Sequence, residues 1–162
     1  MHPKAFITND KIKTLKKRLE QLIKHSKELK FLVGFFYFSG WKELYSAIKD
    51  NPHLTMKILV GLDVDKMLGE TIEYSHSLDN SSSDEKAERY FQSLEHALNN
   101  EEMDNEDFYT QVDFFLNMLE NDKIIIRKTA EPNHAKLYLF SISDGFKELI
   151  SHEFITGSSN LT

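Results

Sequence analysis

Two short motifs near the C-terminal end of the sequence carry side chains suited to attacking and holding a phosphate diester. His134 and Lys136 stand two residues apart at the start of an apolar run, and Gly157-Ser158-Ser159-Asn160 follows a second such run. Imidazole is a nucleophile near neutral pH, while ammonium and carboxamide groups donate hydrogen bonds to phosphate oxygens. Such donors help most in the transition state, where negative charge collects on those oxygens. The residue types therefore predict phosphoryl chemistry that needs neither a metal ion nor a cofactor.

Only the combination of the two motifs is informative. His-x-Lys also begins at His2 and at His25, as expected in a chain rich in lysine. Gly-Ser-x-Asn is rarer, because this composition predicts only about 0.03 chance copies in a chain of this length. The functional hypothesis therefore depends on finding both motifs in this order.

The elements that carry the motifs are predicted to be neighbouring strands over 134–140 and 149–156. Side chains alternate along a strand, so His134 and Lys136 are expected on one face. The opposite, buried face would then hold Ala135, Leu137 and Leu139. If the two strands pair, Ser158 and Asn160 follow the second strand and reach the same small region. The imidazole, ammonium, hydroxyl and carboxamide would then converge.

Hydrophobic spacing predicts the order helix, strand, helix, strand, two helices and three strands. The remaining predicted strands cover 31–38, 54–60 and 123–128, and the first is so continuously apolar that we expect it to be buried on both faces. A helix between the first two strands implies that they are parallel. The expected fold class is α/β, with a mixed, largely parallel sheet flanked by helices.

Charge is distributed unevenly along the chain, whose net charge is −6. Residues 63–122 hold seventeen acidic and three basic residues, whereas residues 1–30 hold nine basic and three acidic residues. The acidic segment is predicted to be helical, with Ser82 and Glu85 at capping-box spacing before the first helix and Phe108 near the start of the second. Because the acid is confined to this segment, the net charge does not exclude a nucleic-acid partner. The lysines of the predicted first helix could equally well form a solvated surface or bind phosphate.

The length of 162 residues suits one domain over 1–162, and the chain has no cysteine with which to form disulfides or thiolate metal sites. No apolar run approaches the ~20 residues that span a bilayer, and the N-terminal residues do not form a secretory signal. We therefore expect a cytoplasmic protein with no membrane partner.

The two motifs resemble the signature of the phospholipase D-like superfamily, His-x-Lys-x4-Asp followed downstream by Gly-Ser-x-Asn. The matching residues are His134, Lys136, Gly157, Ser158 and Asn160. The apolar strand followed by Ser39-Gly40-Trp41 resembles the opening of the nuclease-like domains found at the N-terminus of prokaryotic helicases. The similarity covers most of the chain, and the acidic segment is its least typical part.

The resemblance implies a metal-independent phosphodiesterase of the nuclease type, acting on nucleic acid, with DNA the expected substrate. His134 would form a phosphohistidine, Lys136 and Asn160 would hold the phosphate, and Gly157, Ser158 and Ser159 would support its binding. Members of the family use two motif copies per site, so a chain with one copy implies a homodimer.

Two features depart from the family pattern. Ser141 occupies the position of the family aspartate, and the sequence stops two residues after Asn160, where the family normally continues. We therefore expect a fragment of a longer protein that also contains helicase domains. The alternative hypothesis is a catalytically inactive module of the same fold that binds nucleic acid or docks a partner. A lipid hydrolase is disfavoured, because no amphipathic segment suits a membrane interface.

Three further residues could either contribute to the site or have a purely structural role. Trp41 and Tyr37 could stack on bases, although their apolar neighbours favour packing in the core. His152 could support the site from the adjacent strand, although an ordinary strand histidine is the favoured interpretation.

Overall fold

The computed structural model describes residues 15–64, 69, 72, 106–143 and 151–157. Within these ranges the helices are α1 (Leu15–His25), α2 (Phe38–Lys49) and α3 (Glu106–Glu120). The strands are β1 (Ser26–Phe36), β2 (Thr55–Val64), β3 (Ile124–Lys128), β4 (Leu137–Ile142) and β5 (His152–Thr156). The helix predicted after Ser82 lies outside the described residues.

The five strands form one mixed sheet in the order β3-β2-β1-β4-β5. β1 and β2 are parallel, as are β2 and β3, whereas β4 runs antiparallel to both β1 and β5. The expected α/β class and the expected parallel pairing of the first two strands are both confirmed. The three helices pack against this sheet.

The hydrophobic core lies between one face of the sheet and the three described helices. Alternate residues of β1 point into it, and Leu29, Phe31 and Val33 are almost fully buried. Trp41 of α2 is 1% exposed, and its ring centroid lies 4.8 Å from that of Phe115 in α3. This contact confirms the core role of Trp41 and joins the two helices over the same face.

The prediction that residues 31–38 form a strand buried on both faces is wrong. β1 begins at Ser26, directly after α1, and ends at Phe36, while Phe38 is the first residue of α2. Only alternate positions are fully buried up to Val33, and Leu32 and Phe35 are half-buried. Asn51 stabilises the junction that the apolar pattern missed, because its Nδ2 donates to the carbonyls of Ile23 and Ser26 at 2.8 and 2.7 Å.

The predicted strand over 134–140 is also partly wrong, in its start and in its buried face. β4 begins at Leu137, so residues 134–136 precede the strand. Tyr138 and Phe140 are the buried residues, whereas Leu139 is 39% exposed. The two aromatic rings bury more apolar area than the leucines, and both contact Phe31 edge-on, at 4.9 and 5.9 Å. Burial raises the pKa of Tyr138 to about 12.

Candidate functional site

The sheet topology brings the two motifs to one edge. Because β1, β2 and β3 are parallel, their carboxyl ends share an edge of the sheet, and the antiparallel β4 begins there. Leu137, the first residue of β4, pairs with Leu32 of β1 on one side and with Thr156, the last residue of β5, on the other. His134 and Lys136 therefore enter this edge at the point where Gly157 leaves it.

The loop over 129–136 crosses the carboxyl ends of the central strands. β3 lies at the outer edge of the sheet, and the chain must pass β2 and β1 to reach β4. Two backbone hydrogen bonds hold the loop to β2: the Thr129 amide donates to the Val60 carbonyl at 2.9 Å, and the Asn133 amide donates to the Gly61 carbonyl at 3.0 Å. The Thr129 hydroxyl also donates to the Gly61 carbonyl at 3.4 Å. The residue before His134 is thus attached to the centre of the sheet.

The backbone of this loop comes very close to β2 at Gly61. A Cβ atom there would lie 1.9 Å from the carbonyl oxygen of Asn133 and 2.7 Å from its carbonyl carbon. Any side chain would collide with the backbone of the loop, so the close approach requires glycine. The sequence places Gly61 at the end of a predicted strand, but β2 continues through it to Val64.

The backbone around His134 is held by local hydrogen bonds. Asn133 Oδ1 accepts from the Ala135 amide at 2.7 Å, which closes a turn of the kind that asparagine side chains favour. Lys136 Nζ donates to the His134 carbonyl at 2.6 Å. His134 is exposed and Lys136 is half-buried. A phosphate oxygen is a stronger acceptor for the ammonium than a neutral carbonyl, so an anion at this edge would compete for Lys136.

Gly157 lies against the first motif. Its amide donates to the Lys136 carbonyl at 3.4 Å, at the long end of hydrogen-bonding distance. Among the described residues, no heavy atom lies within 4 Å of the position that a Cβ atom would take on Gly157. The structure thus brings together His134, Lys136 and Gly157. The other predicted site residues, Ser158, Ser159 and Asn160, lie outside the described residues.

Ser141 and His152 lie at the opposite end of the same two strands. They pair with each other, and Ser141 also pairs with Glu28 of β1. Ser141 is five positions after Lys136, which along an extended strand corresponds to about 16 Å. A side chain at position 141 would not reach a phosphate bound at Lys136, and His152, which pairs with Ser141, lies at the same distant end of the strands.

The site contains residues that the sequence motifs did not reveal. Thr129, Asn133 and Gly61 position the loop but match no chemical motif, and only the crossing of the loop over β2 identifies them. Beside this edge, Lys128 Nζ lies 3.9 Å from Asp63 Oδ1 in an exposed ion pair. The two charges are opposite, so this ion pair adds no net charge beside the site.

Among the described residues, no three His, Asp or Glu side chains are grouped as a metal site would require. In the same part of the chain, no helix has the length and apolar character needed to cross a membrane.

No family model matches the chain, and no curated protein matches it either.

Proposed function

We propose that the chain is a metal-independent phosphodiesterase domain of the nuclease type, acting on nucleic acid and attached to a helicase. The antiparallel pairing of β4 with β5 is the observation that supports this most directly, because it sets Gly157 against Lys136. The segment containing Ser158 and Asn160 thus begins beside the segment containing His134. Two motifs far apart in sequence are expected to meet in this way if they serve one site.

In the proposed reaction, the imidazole of one His134 attacks phosphorus, a phosphorus–nitrogen bond forms, and the bond to the leaving oxygen breaks. The leaving oxygen takes a proton from His134 of a second subunit. Water then attacks the phosphohistidine and gives a proton to the second imidazole, which releases the phosphate monoester and the first histidine. Lys136 and Asn160 stabilise the charge on the non-bridging oxygens in both steps.

The proposed reaction requires two copies of His134 to reach one phosphate, and thus a homodimer. The exposure of His134 at the carboxyl edge of the sheet is compatible with this requirement. Sedimentation analysis tests it, and a strictly monomeric chain that still cleaved DNA would contradict the two-histidine mechanism.

Cleavage of DNA in the presence of EDTA provides the main test, with His134→Ala and His152→Ala as a matched pair. Both histidines are exposed and flank the β4–β5 pair, but only His134 lies at the proposed site. We expect His134→Ala to abolish cleavage and His152→Ala to retain it. Cleavage that EDTA stops, or that survives in His134→Ala, contradicts the proposal.

The second candidate function is an inactive module of the same fold that binds nucleic acid or docks a partner. Its support comes from the resemblance, in which Ser141 replaces the family aspartate, although a side chain at this position would not reach a phosphate bound at Lys136. Trapping with labelled substrate and quenching in an alkaline denaturant separates the two functions, because the phosphorus–nitrogen bond of a phosphohistidine survives base. An acid-labile, base-stable phosphate on His134 supports the enzyme, and binding of DNA without such an adduct supports the module.

A further inference from the structure

One face of the sheet carries exposed apolar side chains; we call it the open face. It lies opposite the face that α1, α2 and α3 bury. Leu59 and Leu139 are each 39% exposed there, and Phe154 is 67% exposed. Leu139 pairs directly with Phe154, so these two side chains adjoin on the same face. A groove of about 350 Å³ continues from Leu139 across β1, β2 and β3. The open face thus presents an aromatic ring beside one end of an apolar groove.

This pattern of exposure indicates a binding surface. Single exposed leucines need no explanation, but an apolar patch that spans adjacent strands is typical of a surface that contacts a ligand or partner. Parallel strands in particular normally have both faces covered. The ring of Phe154 adds a flat aromatic surface, on which a nucleobase can stack.

The groove also carries positive charge. Lys30 and Lys57 are direct partners across β1 and β2, and Arg127 lines the same groove from β3. Like charges placed directly opposite each other destabilise a sheet. Glu28 compensates in part, since its carboxylate lies 3.1 Å from Lys30 Nζ and 2.8 Å from Lys57 Nζ. The groove thus combines three cations with one neighbouring carboxylate, counted over the described residues, and suits an anionic ligand.

The groove adjoins the candidate site at the carboxyl edge of the sheet. Leu137 follows Lys136 directly and lines the groove, while Phe154 precedes Gly157 by three positions. Along an extended strand three positions correspond to about 10 Å, a distance that about three stacked nucleotides span at about 3.4 Å each. A nucleic-acid strand with one phosphate at Lys136 can therefore place a neighbouring base on Phe154.

A single strand explains these features better than the other occupants do. An unpaired base presents a flat surface that stacks on an aromatic ring, whereas a duplex keeps its bases stacked inside and presents its phosphates. A second copy of the chain, packed face to face, would bring two positive grooves together. We propose that the open face binds the single-stranded flank of the nucleic-acid substrate, with one base stacked on Phe154 and adjacent phosphates bound by the three cations of the groove. This inference rests on the proposed function for the class of ligand, and it specifies the form of that ligand.

Binding of a fluorescently labelled oligothymidylate of about twenty nucleotides, measured by anisotropy, tests the proposal. Every protein carries His134→Ala, so that the strand is not cleaved during the measurement. We expect Phe154→Ala to weaken binding at least about fivefold, the lower end of the effect of removing one stacked base. Phe154→Trp should retain the affinity of the parent, because an indole ring also stacks on bases. Phe154 is 67% exposed, so its replacement is expected to leave the fold intact, and circular dichroism checks this.

Charge variants with opposite expected effects test the role of the cations. Arg127→Gln should weaken binding and reduce the slope of log affinity against log salt concentration by about 0.7, the value for one phosphate contact on a single strand. Lys128→Gln is the matched control and should leave this slope unchanged, because the side chain of the next residue on β3 points to the other side of the sheet. Glu28→Gln should tighten binding about twofold, because it frees Lys30 and Lys57 from their carboxylate.

Each other outcome overturns the proposal. Equal binding by Phe154→Ala and its parent would show that no base stacks on the ring. Tighter binding of a duplex of the same length would show that the phosphates alone are recognised. Absence of binding to the oligothymidylate would show that the open face serves another ligand, such as an acidic protein partner.

The binding measurement also separates this inference from the proposed enzyme activity. Strand binding that depends on Phe154, together with a natural protein that cleaves no DNA in EDTA, would refute the enzyme and retain the binding surface. Cleavage in EDTA, together with strand binding that does not depend on Phe154, would retain the enzyme and refute the binding surface.

Discussion

Gly61 and Asn133 make a backbone contact that leaves no room for a side chain on Gly61. A Cβ atom there would lie 1.9 Å from the Asn133 carbonyl oxygen, and the Asn133 amide donates to the Gly61 carbonyl at 3.0 Å. The contact joins the middle of β2 to the residue before His134. The geometry of the candidate site therefore depends on a residue that carries no chemistry.

Gly61→Ala should displace the loop and destabilise the protein. The methyl group would overlap backbone atoms, which cannot yield as a flexible side chain does, so we expect a loss of about 1–3 kcal/mol in the free energy of unfolding. Urea denaturation measures the loss. Gly157→Ala is the control, because no atom of the part of the chain that the structure describes lies within 4 Å of a Cβ atom there. Equal stability of Gly61→Ala and the natural protein would refute the close approach.

Asn51→Ala should weaken the junction between α1 and β1. The Asn51 amide donates to the carbonyls of both Ile23 and Ser26, so its removal deletes two part-buried hydrogen bonds. The expected loss in unfolding free energy is about 2 kcal/mol. Asn121→Ala, which removes one exposed bond to the Asn117 carbonyl, should cost less than about 0.5 kcal/mol in the same denaturation experiment.

Glu28 should make the stability of the protein depend on pH in the acid range. Hydrogen bonds from Lys57 are the largest cause that holds the pKa of Glu28 below its ordinary value of 4.5, and Lys30 acts in the same direction. A lowered pKa in the folded state stabilises the protein above the unfolded value, and this contribution disappears as the pH falls through the folded value. Natural protein should therefore be more stable than Glu28→Gln at pH 6. The difference should shrink below pH 4, as denaturation at both values would show.

Tyr138 should produce the opposite dependence in the alkaline range. Burial raises its pKa from 10.0 to about 12, so the hydroxyl ionises in the unfolded chain before it ionises in the folded protein. This contribution to stability is complete below pH 10 and is lost as the pH rises towards 12. Tyr138→Phe should remove that part of the alkaline loss. If both proteins lose stability identically between pH 9 and 11, the ring is not buried as described.

The sequence predicts the class of fold well because periodic burial leaves a strong pattern. The apolar run that begins at Phe31 and the spacing of Trp41 and Ile48 predict a strand followed by a helix, although β1 begins five residues earlier, at Ser26. It predicts the buried face of β4 poorly, since Tyr138 and Leu139 are both apolar and only tertiary packing against Phe31 selects between them. In such a run, alternation predicts two faces but not which one is buried.

The candidate site, like the fold, is predicted from the sequence only in part. The types and spacing of His134, Lys136 and Gly157 are visible in the sequence, and the structure brings the three together as expected from pairing of the last two strands. The role of Gly61 is not visible, because it arises where a loop crosses a strand far away in sequence. Position 141 appears close to Lys136 in a sequence motif, yet an extended strand separates the two.

The crossing of loop 129–136 over β2 also determines when the candidate site can form during folding. Thr129 and Gly61, whose side chain and carbonyl are 3.4 Å apart, are separated by 68 positions in the chain. Contacts of such long range form slowly, because loop-closure entropy must be overcome first. A nascent chain that has emerged only as far as Lys136 would contain His134, the proposed nucleophile, but neither β4 nor Gly157. The site is thus expected to form late in folding. An intact site requires that the parallel strands and the antiparallel strands have already joined into one sheet.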